Sequence, residues 1–232
     1  MSYNWNTRTE LLLGAERMEY LSHCHVLVVG LGGVGAYAAE QICRAGIGHM
    51  TIVDADAVND SNINRQLPAL HSTLGMQKAE VVGQRLLDIN PRLKLTILNE
   101  FLRDERTEEV LSAQKYDFIV DAIDSLSPKA YLLYHAYRRE IPIVSSMGAG
   151  AKIDPSQVKI ADISKTCNCA LAKAVRKRLR GMGLNKGIPV VSQTEIANPE
   201  AVVEVENEQC KRTTTGTVSY MPAISAVIWL PM

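Results

Sequence analysis

The chain has 232 residues, 47% of them apolar and with a formal net charge of zero. That is enough for one substantial domain, and it leaves no global field to draw the protein to nucleic acid or membrane, so any such partner must be met by a local patch. Its cysteines (Cys24, Cys43, Cys167, Cys169 and Cys210) are odd in number, which argues against a disulfide framework and for a reducing compartment.

The first residues lack the basic-then-apolar build of a signal peptide, and no apolar run reaches the ~18 residues of a membrane span. A cytoplasmic protein without a membrane partner is expected. In chain order, 25–30 (HVLVVG) is a short β-branched run ending in glycine, which predicts a buried parallel strand. Helical periodicity follows over 34–45 and stops at Gly46. A second strand is expected at 49–54 and a helix over 77–89, ended by Asn90-Pro91. A strand at 93–98, a helix at 105–113, a strand at 117–123, a helix at 128–140 and a strand at 141–145 complete the regular part.

This alternation predicts an α/β fold of Rossmann type, a mainly parallel sheet covered on both faces with right-handed connections. Beyond Gly148 the rhythm changes. Further strands are expected at 158–163, 190–194 and 202–205, with a basic helix at 170–180 among them. Neither an internal repeat nor a low-complexity linker interrupts the chain. One unit over 1–232 is expected, with its core at about 20–150 and a C-terminal extension at about 151–232.

Gly30, Gly32, Gly33 and Gly35 form a glycine fingerprint between a strand and a helix. Such glycines let the backbone turn tightly and approach a phosphate at the positive end of the helix. Asp54 ends the next strand, where a carboxylate can accept from ribose hydroxyls. A glycine turn without a ligand has the same pattern, and the fingerprint alone does not separate NAD, FAD and ATP. The residues that follow favour the last. Asn62, Arg65 and Gln66 lie after the second strand, Lys78 opens the next helix, and Asp124 lies just past the fourth strand. In an open α/β sheet these strand ends line one crevice. Cations and a carboxylate at that mouth suit phosphoryl or adenylyl chemistry, in which charge builds on phosphate oxygens and a metal ion must be held. Taken singly, Arg65 or Lys78 reads as a solvated charge, Asp124 as a helix cap, and Arg8 as part of a tail.

Together, the glycine loop, the D-x-D-x-V-x-x-S-N-x-x-R-Q run from Asp54 to Gln66, Lys78 and the strand end Asp121–Asp124 resemble the E1-like adenylating enzymes. That family includes the activators of the ThiS and MoaD sulfur carriers and of ubiquitin. The resemblance implies that Asp54 holds the ribose, and that Asn62, Arg65 and Lys78 contact phosphates. It also implies that Asp124 binds Mg²⁺, and that Arg8, within R-x-x-L-L-L-G, reaches the ATP of the partner in a homodimer. Asp56 and Gln66, in the same run, are counted with the ATP contacts; Asp121 has no assigned role.

Sulfur-carrier activators often hold a structural zinc with two CxxC pairs. Here Cys167 and Cys169 have the wrong spacing, Cys210 adds one thiol, and zinc is not expected. No cysteine stands out as a thioester nucleophile. A stretch without acidic residues instead carries Lys165, Lys173, Arg176, Lys177, Arg178, Arg180 and Lys186. A solvated helix face would interleave acids, so this asymmetry points to a polyphosphate backbone, with Lys173, Arg176, Lys177, Arg178 and Arg180 as the nucleic-acid contacts.

With the stretches at 142–150, 153–155 and 162–166, these features look like the branch of the family that dehydrates threonylcarbamoyladenosine in tRNA. That branch implies ATP-dependent cyclisation of the threonylcarbamoyl group near the anticodon, and leaves room for a small sulfur-transfer protein as a further partner. An activator of a ubiquitin-like sulfur carrier is the alternative, and an NAD-dependent oxidoreductase or nucleotide sensor a third reading. The 213–222 stretch departs from the family's glycine-rich versions, and a further helix would be expected after Trp229–Met232.

Overall fold

The computed structural model describes residues 4–208 and 211–228; Cys210 and Trp229–Met232 lie outside the described residues. Two short helices, α1 (Thr7–Leu13) and α2 (Ala15–His23), lead into β1 (His25–Val29). Then come α3 (Gly35–Arg44), β2 (His49–Val53), α4 (Lys78–Ile89), β3 (Lys94–Leu98), α5 (Glu105–Ala113), β4 (Phe118–Asp121), α6 (Leu126–Arg138) and β5 (Ile143–Ser146). The remainder is β6 (Val158–Asp162), α7 (Ala170–Gly181), β7 (Pro189–Gln193), β8 (Val202–Glu208), β9 (Lys211–Thr215) and α8 (Tyr220–Val227).

A seven-stranded sheet has the order β3-β2-β1-β4-β5-β7-β6, and only β6 runs antiparallel to its neighbour. The expected α/β fold of Rossmann type is the observed one. The core strands read as unbroken apolar runs because both faces are covered. Val26 and Val28 of β1 pack with α3, α4 and α8, while Leu27 and Val29 pack with the opposite layer of α5, α6 and α7. Residues beyond 150 are built into this sheet: β7 pairs in parallel with β5, and β6 closes the edge.

The expected helix at 128–140 starts earlier, at Leu126, with Pro128 within its first turn, where a missing N–H costs nothing. The sequence reading did not assign α1, α2, β9 or α8. Helix α1 buries none of its own side chains, and α8 packs on α3.

The strand order reverses between β1 and β4, so the loops leaving these two strands flank a crevice at the carboxyl ends. Ala122 donates its N–H to the Val29 carbonyl at 2.8 Å, which draws the chain leaving β4 against the glycine loop.

Candidate nucleotide site

The glycine loop divides into positions that hold the fold and positions that hold space. Gly30 has φ +89°, and a Cβ there would lie 2.7 Å from the Ala122 carbonyl oxygen. At Gly35, the first residue of α3, a Cβ would fall 1.7 Å from the Gly30 oxygen. A Cβ at Gly33 would sit 3.1 Å from Pro222 of α8, whereas at Gly32 it would meet only the Gln66 side chain, at 3.6 Å. Gly35→Ala should therefore cost ~4 kcal/mol or more, and Gly32→Ala less than ~1 kcal/mol. Urea denaturation of the two variants checks this; equal stabilities would refute the assignment.

Asp54 extends from the end of β2 under this loop. One carboxylate oxygen accepts the Leu31 N–H at 2.6 Å and the other accepts the Asp56 N–H at 2.8 Å. Each oxygen keeps a second lone pair for a ribose hydroxyl. Burial pushes the Asp54 carboxyl above its ordinary value, opposed by the Lys78 ammonium and by the two N–H donors.

Lys78 is buried at the start of α4, and its Nζ donates to Asp56 Oδ2 at 2.8 Å. Asp56 itself is half exposed, so the pair presents an ammonium to the inside and a carboxylate to water. The Asn62 side chain serves the local turn: Oδ1 accepts the Asn59 N–H at 3.1 Å. Arg65 is held by the Ser61 carbonyl and the Asn64 side chain. The Gln66 Oε1 is buried without a hydrogen-bond partner beside Gly32. An unsatisfied polar atom next to an open glycine fits a polar ligand at that point. Asp124 is exposed, in the loop between β4 and α6. Asp54, Asp56, Asn62, Arg65, Gln66, Lys78 and Asp124 thus stand on the segments that leave the carboxyl ends of β2 and β4 around the glycine loop.

Arg8 stands apart, exposed on α1. Of the basic residues on α7, Lys173, Lys177, Arg178 and Arg180 are exposed, while Ala172, Val175 and Leu179 anchor the helix. Helical spacing puts Lys173, Lys177 and Arg180 on one face. Arg176 is different: its guanidinium donates to the Thr166 hydroxyl and, at 3.0 Å, to the Thr166 carbonyl. It ties the preceding turn to the helix.

Sequence reasoning missed two features next to the site. Pro222, against Gly33, left no local signal, because α8 comes from the far end of the chain. Lys129 did leave one, since it falls in register with Leu132, Leu133 and Ala136, the inward stripe of α6. Its Nζ meets Asp121 Oδ2 at 2.5 Å, with both side chains fully buried.

Compared with known proteins, the chain matches the ThiF family over residues 3–230. It is 37% identical to the tRNA threonylcarbamoyladenosine dehydratase of Bacillus subtilis over 96% of this chain and 90% of that protein. The crystal structure of the Escherichia coli tRNA N6-threonylcarbamoyladenosine dehydratase in complex with ATP superposes with a TM-score of 0.87 at 33% identity, covering 96% of this chain and 89% of that one. In sequence, the Escherichia coli enzyme is 40% identical over 76% of this chain and 66% of its own length. A molybdopterin-synthase adenylyltransferase from Salmonella typhimurium is 32% identical over 60% of this chain and 54% of that protein.

Proposed function

The chain belongs to the ThiF family, and from that we propose that it is an ATP-dependent tRNA threonylcarbamoyladenosine dehydratase. The observation that carries this reading is the match to the ATP-bound Escherichia coli dehydratase, which extends over 96% of this chain and 89% of that one. The adenylyltransferase likeness stops at 60%, which disfavours the sulfur-carrier alternative. A hydride-transfer site would leave the buried Lys78 without a task.

The chemistry suits the residues. The threonylcarbamoyl carboxylate is a poor electrophile, so it attacks the α-phosphate of ATP, and pyrophosphate leaves. The neighbouring carbamoyl group then closes on the activated carbonyl and expels AMP. This second step is intramolecular and gains from proximity, so it needs no enzyme thiol. In this reading Asp54 holds the ribose, the amides at Gly32 and Gly33 face phosphate, and Asn62, Arg65, Gln66 and Lys78 surround the triphosphate.

Mg²⁺ would be held by Asp124 together with phosphate oxygens. Among the described residues no group of three or more His, Cys, Asp or Glu side chains could hold a metal ion, and a magnesium site completed by substrate phosphates needs no such group. Asp56 acts through Lys78 by fixing its ammonium. The exposed basic face of α7, Lys173, Lys177 and Arg180 with Arg178 beside it, takes the tRNA backbone near the anticodon.

A homodimer fits α1. Leu11 and Leu12 are 73% and 76% exposed on a helix that buries nothing, so a second copy covering them would draw Arg8, one turn earlier, into the interface, and the family resemblance implies that it reaches the partner's ATP from there. Among the described residues no helix is long and apolar enough to cross a membrane, and a tRNA substrate fits the cytoplasm.

Pyrophosphate release from ATP tests this reading, measured with tRNA bearing threonylcarbamoyladenosine, with a ThiS-like carrier, and with neither. Release with the tRNA alone is expected. Release only with the carrier would transfer the protein to the sulfur-carrier activators.

A further inference from the structure

Beneath the site lies a cluster that the reaction above does not use. Asp121 ends β4 and Lys129 stands in the first turn of α6; both are 0% exposed. Ser145 of β5 is equally buried. Asp121 Oδ2 accepts from Lys129 Nζ and from the Ser145 hydroxyl, each at 2.5 Å, and Lys129 Nζ also reaches Ser145 Oγ at 3.0 Å. The other carboxylate oxygen accepts the Ile123 N–H at 3.0 Å.

A salt bridge so buried is weak support for stability, because an apolar filling of the same volume often serves as well or better. What an apolar filling lacks is direction. The ion pair joins the residue that enters the β4–α6 loop to one just beyond its exit, and Ser145 fastens both to β5. The Ile123 contact turns the chain at the loop's second residue, and the Ala122–Val29 bond seats its first against the glycine loop. Asp124 is what this loop carries.

We propose that the Lys129–Asp121–Ser145 cluster is the positioning device of the reaction: it fixes Asp124 for the metal while sealed from substrate itself. This rests on the functional reading above. The ammonium balances the Asp121 charge and gives the carboxylate one orientation, from which the path through Ile123 to Asp124 follows.

Calorimetry of ATP binding, with Mg²⁺ and with EDTA, reads this role without turnover. In the wild-type protein Mg²⁺ should tighten ATP binding. In Lys129→Met that gain should shrink about tenfold, the scale on which removing a supporting contact weakens a metal site. Binding in EDTA should stay close to wild type. The double variant Asp121→Asn with Lys129→Met removes both charges. It should recover thermal stability lost by the single variant but not the Mg²⁺ gain, which a purely structural cluster would restore. Should Lys129→Met fail to fold, Ser145→Ala keeps the ion pair and should lose about fivefold of the gain, as for one hydrogen bond. Folded variants with the full wild-type gain overturn the proposal. A wild-type protein whose ATP binding ignores Mg²⁺ overturns the metal role of Asp124 and this inference with it, and is recognised without any variant.

Discussion

Lys78→Met is expected to reduce tRNA-dependent pyrophosphate release by a factor on the order of 10²–10³, the range found when one preorganised donor to transition-state charge is removed. The size follows from where the charge sits. The ammonium is buried, so water screens it little, and Asp56 holds it in place at 2.8 Å. Methionine keeps the volume and the helix. The carboxylate left behind is half exposed, so water replaces its partner, and stability should change by less than ~1 kcal/mol. The reverse change, Asp56→Ala, strands the buried ammonium and should cost ~1–3 kcal/mol. Lys78 also pulls the Asp54 carboxyl down against its burial, so its loss should raise Asp54 further and weaken ribose binding in the same variant. Steady-state assays and thermal melts of the two variants check both halves. Release within tenfold of wild type in Lys78→Met would remove this residue from the phosphate site.

Charge reversal on the basic helix should have the second large effect, this time on the macromolecule alone. Lys173→Glu, Lys177→Glu and Arg180→Glu together alter one exposed face of α7 and leave the buried anchors Ala172, Val175 and Leu179 in place. Binding of tRNA should fall by ~100-fold or more at moderate salt, and the slope of log affinity against log salt should flatten by ~2–3, because each lost phosphate contact no longer releases a counterion. ATP affinity should be unaffected. Arg176→Ala is the informative contrast. That guanidinium is engaged by Thr166, so its loss should lower the melting temperature while tRNA affinity and its salt dependence stay near wild type. Filter binding over a salt series reads both. A triple variant that still binds tRNA like wild type would move the RNA surface elsewhere on the protein.

The two variants differ in how far the sequence foretold them. Arg176 and Lys177 are neighbours in an acid-free stretch, and nothing along the chain distinguishes them. Helical geometry turns them in different directions, and the hydroxyl of Thr166, brought back by the preceding turn, captures one of them. The place of Lys78 at the opening of a helix was legible, and a phosphate contact is what the family resemblance implied for it. Its burial and its pairing with Asp56, 22 residues earlier, were not.

By itself the sequence determined what depends on near neighbours along the chain. Apolar runs covered on both faces specify β1, β2 and β4, the 3.6-residue stripe specifies α3, α4 and α7, and the spacing of Gly30, Gly32, Gly33 and Gly35 specifies a tight glycine turn from strand to helix in a Rossmann-type sheet. The resemblance in motif order supplied the family. Only the tertiary structure decided what depends on segments far apart. It set β7 between β5 and the antiparallel edge strand β6, and brought Pro222 of α8 against Gly33. It also closed Lys129, Asp121 and Ser145 into one buried cluster. Local periodicity reports which face of an element is apolar, but not which distant element covers it. A lysine in an apolar stripe signals that burial must be compensated, and the carboxylate that compensates it is found only when strand and helix meet.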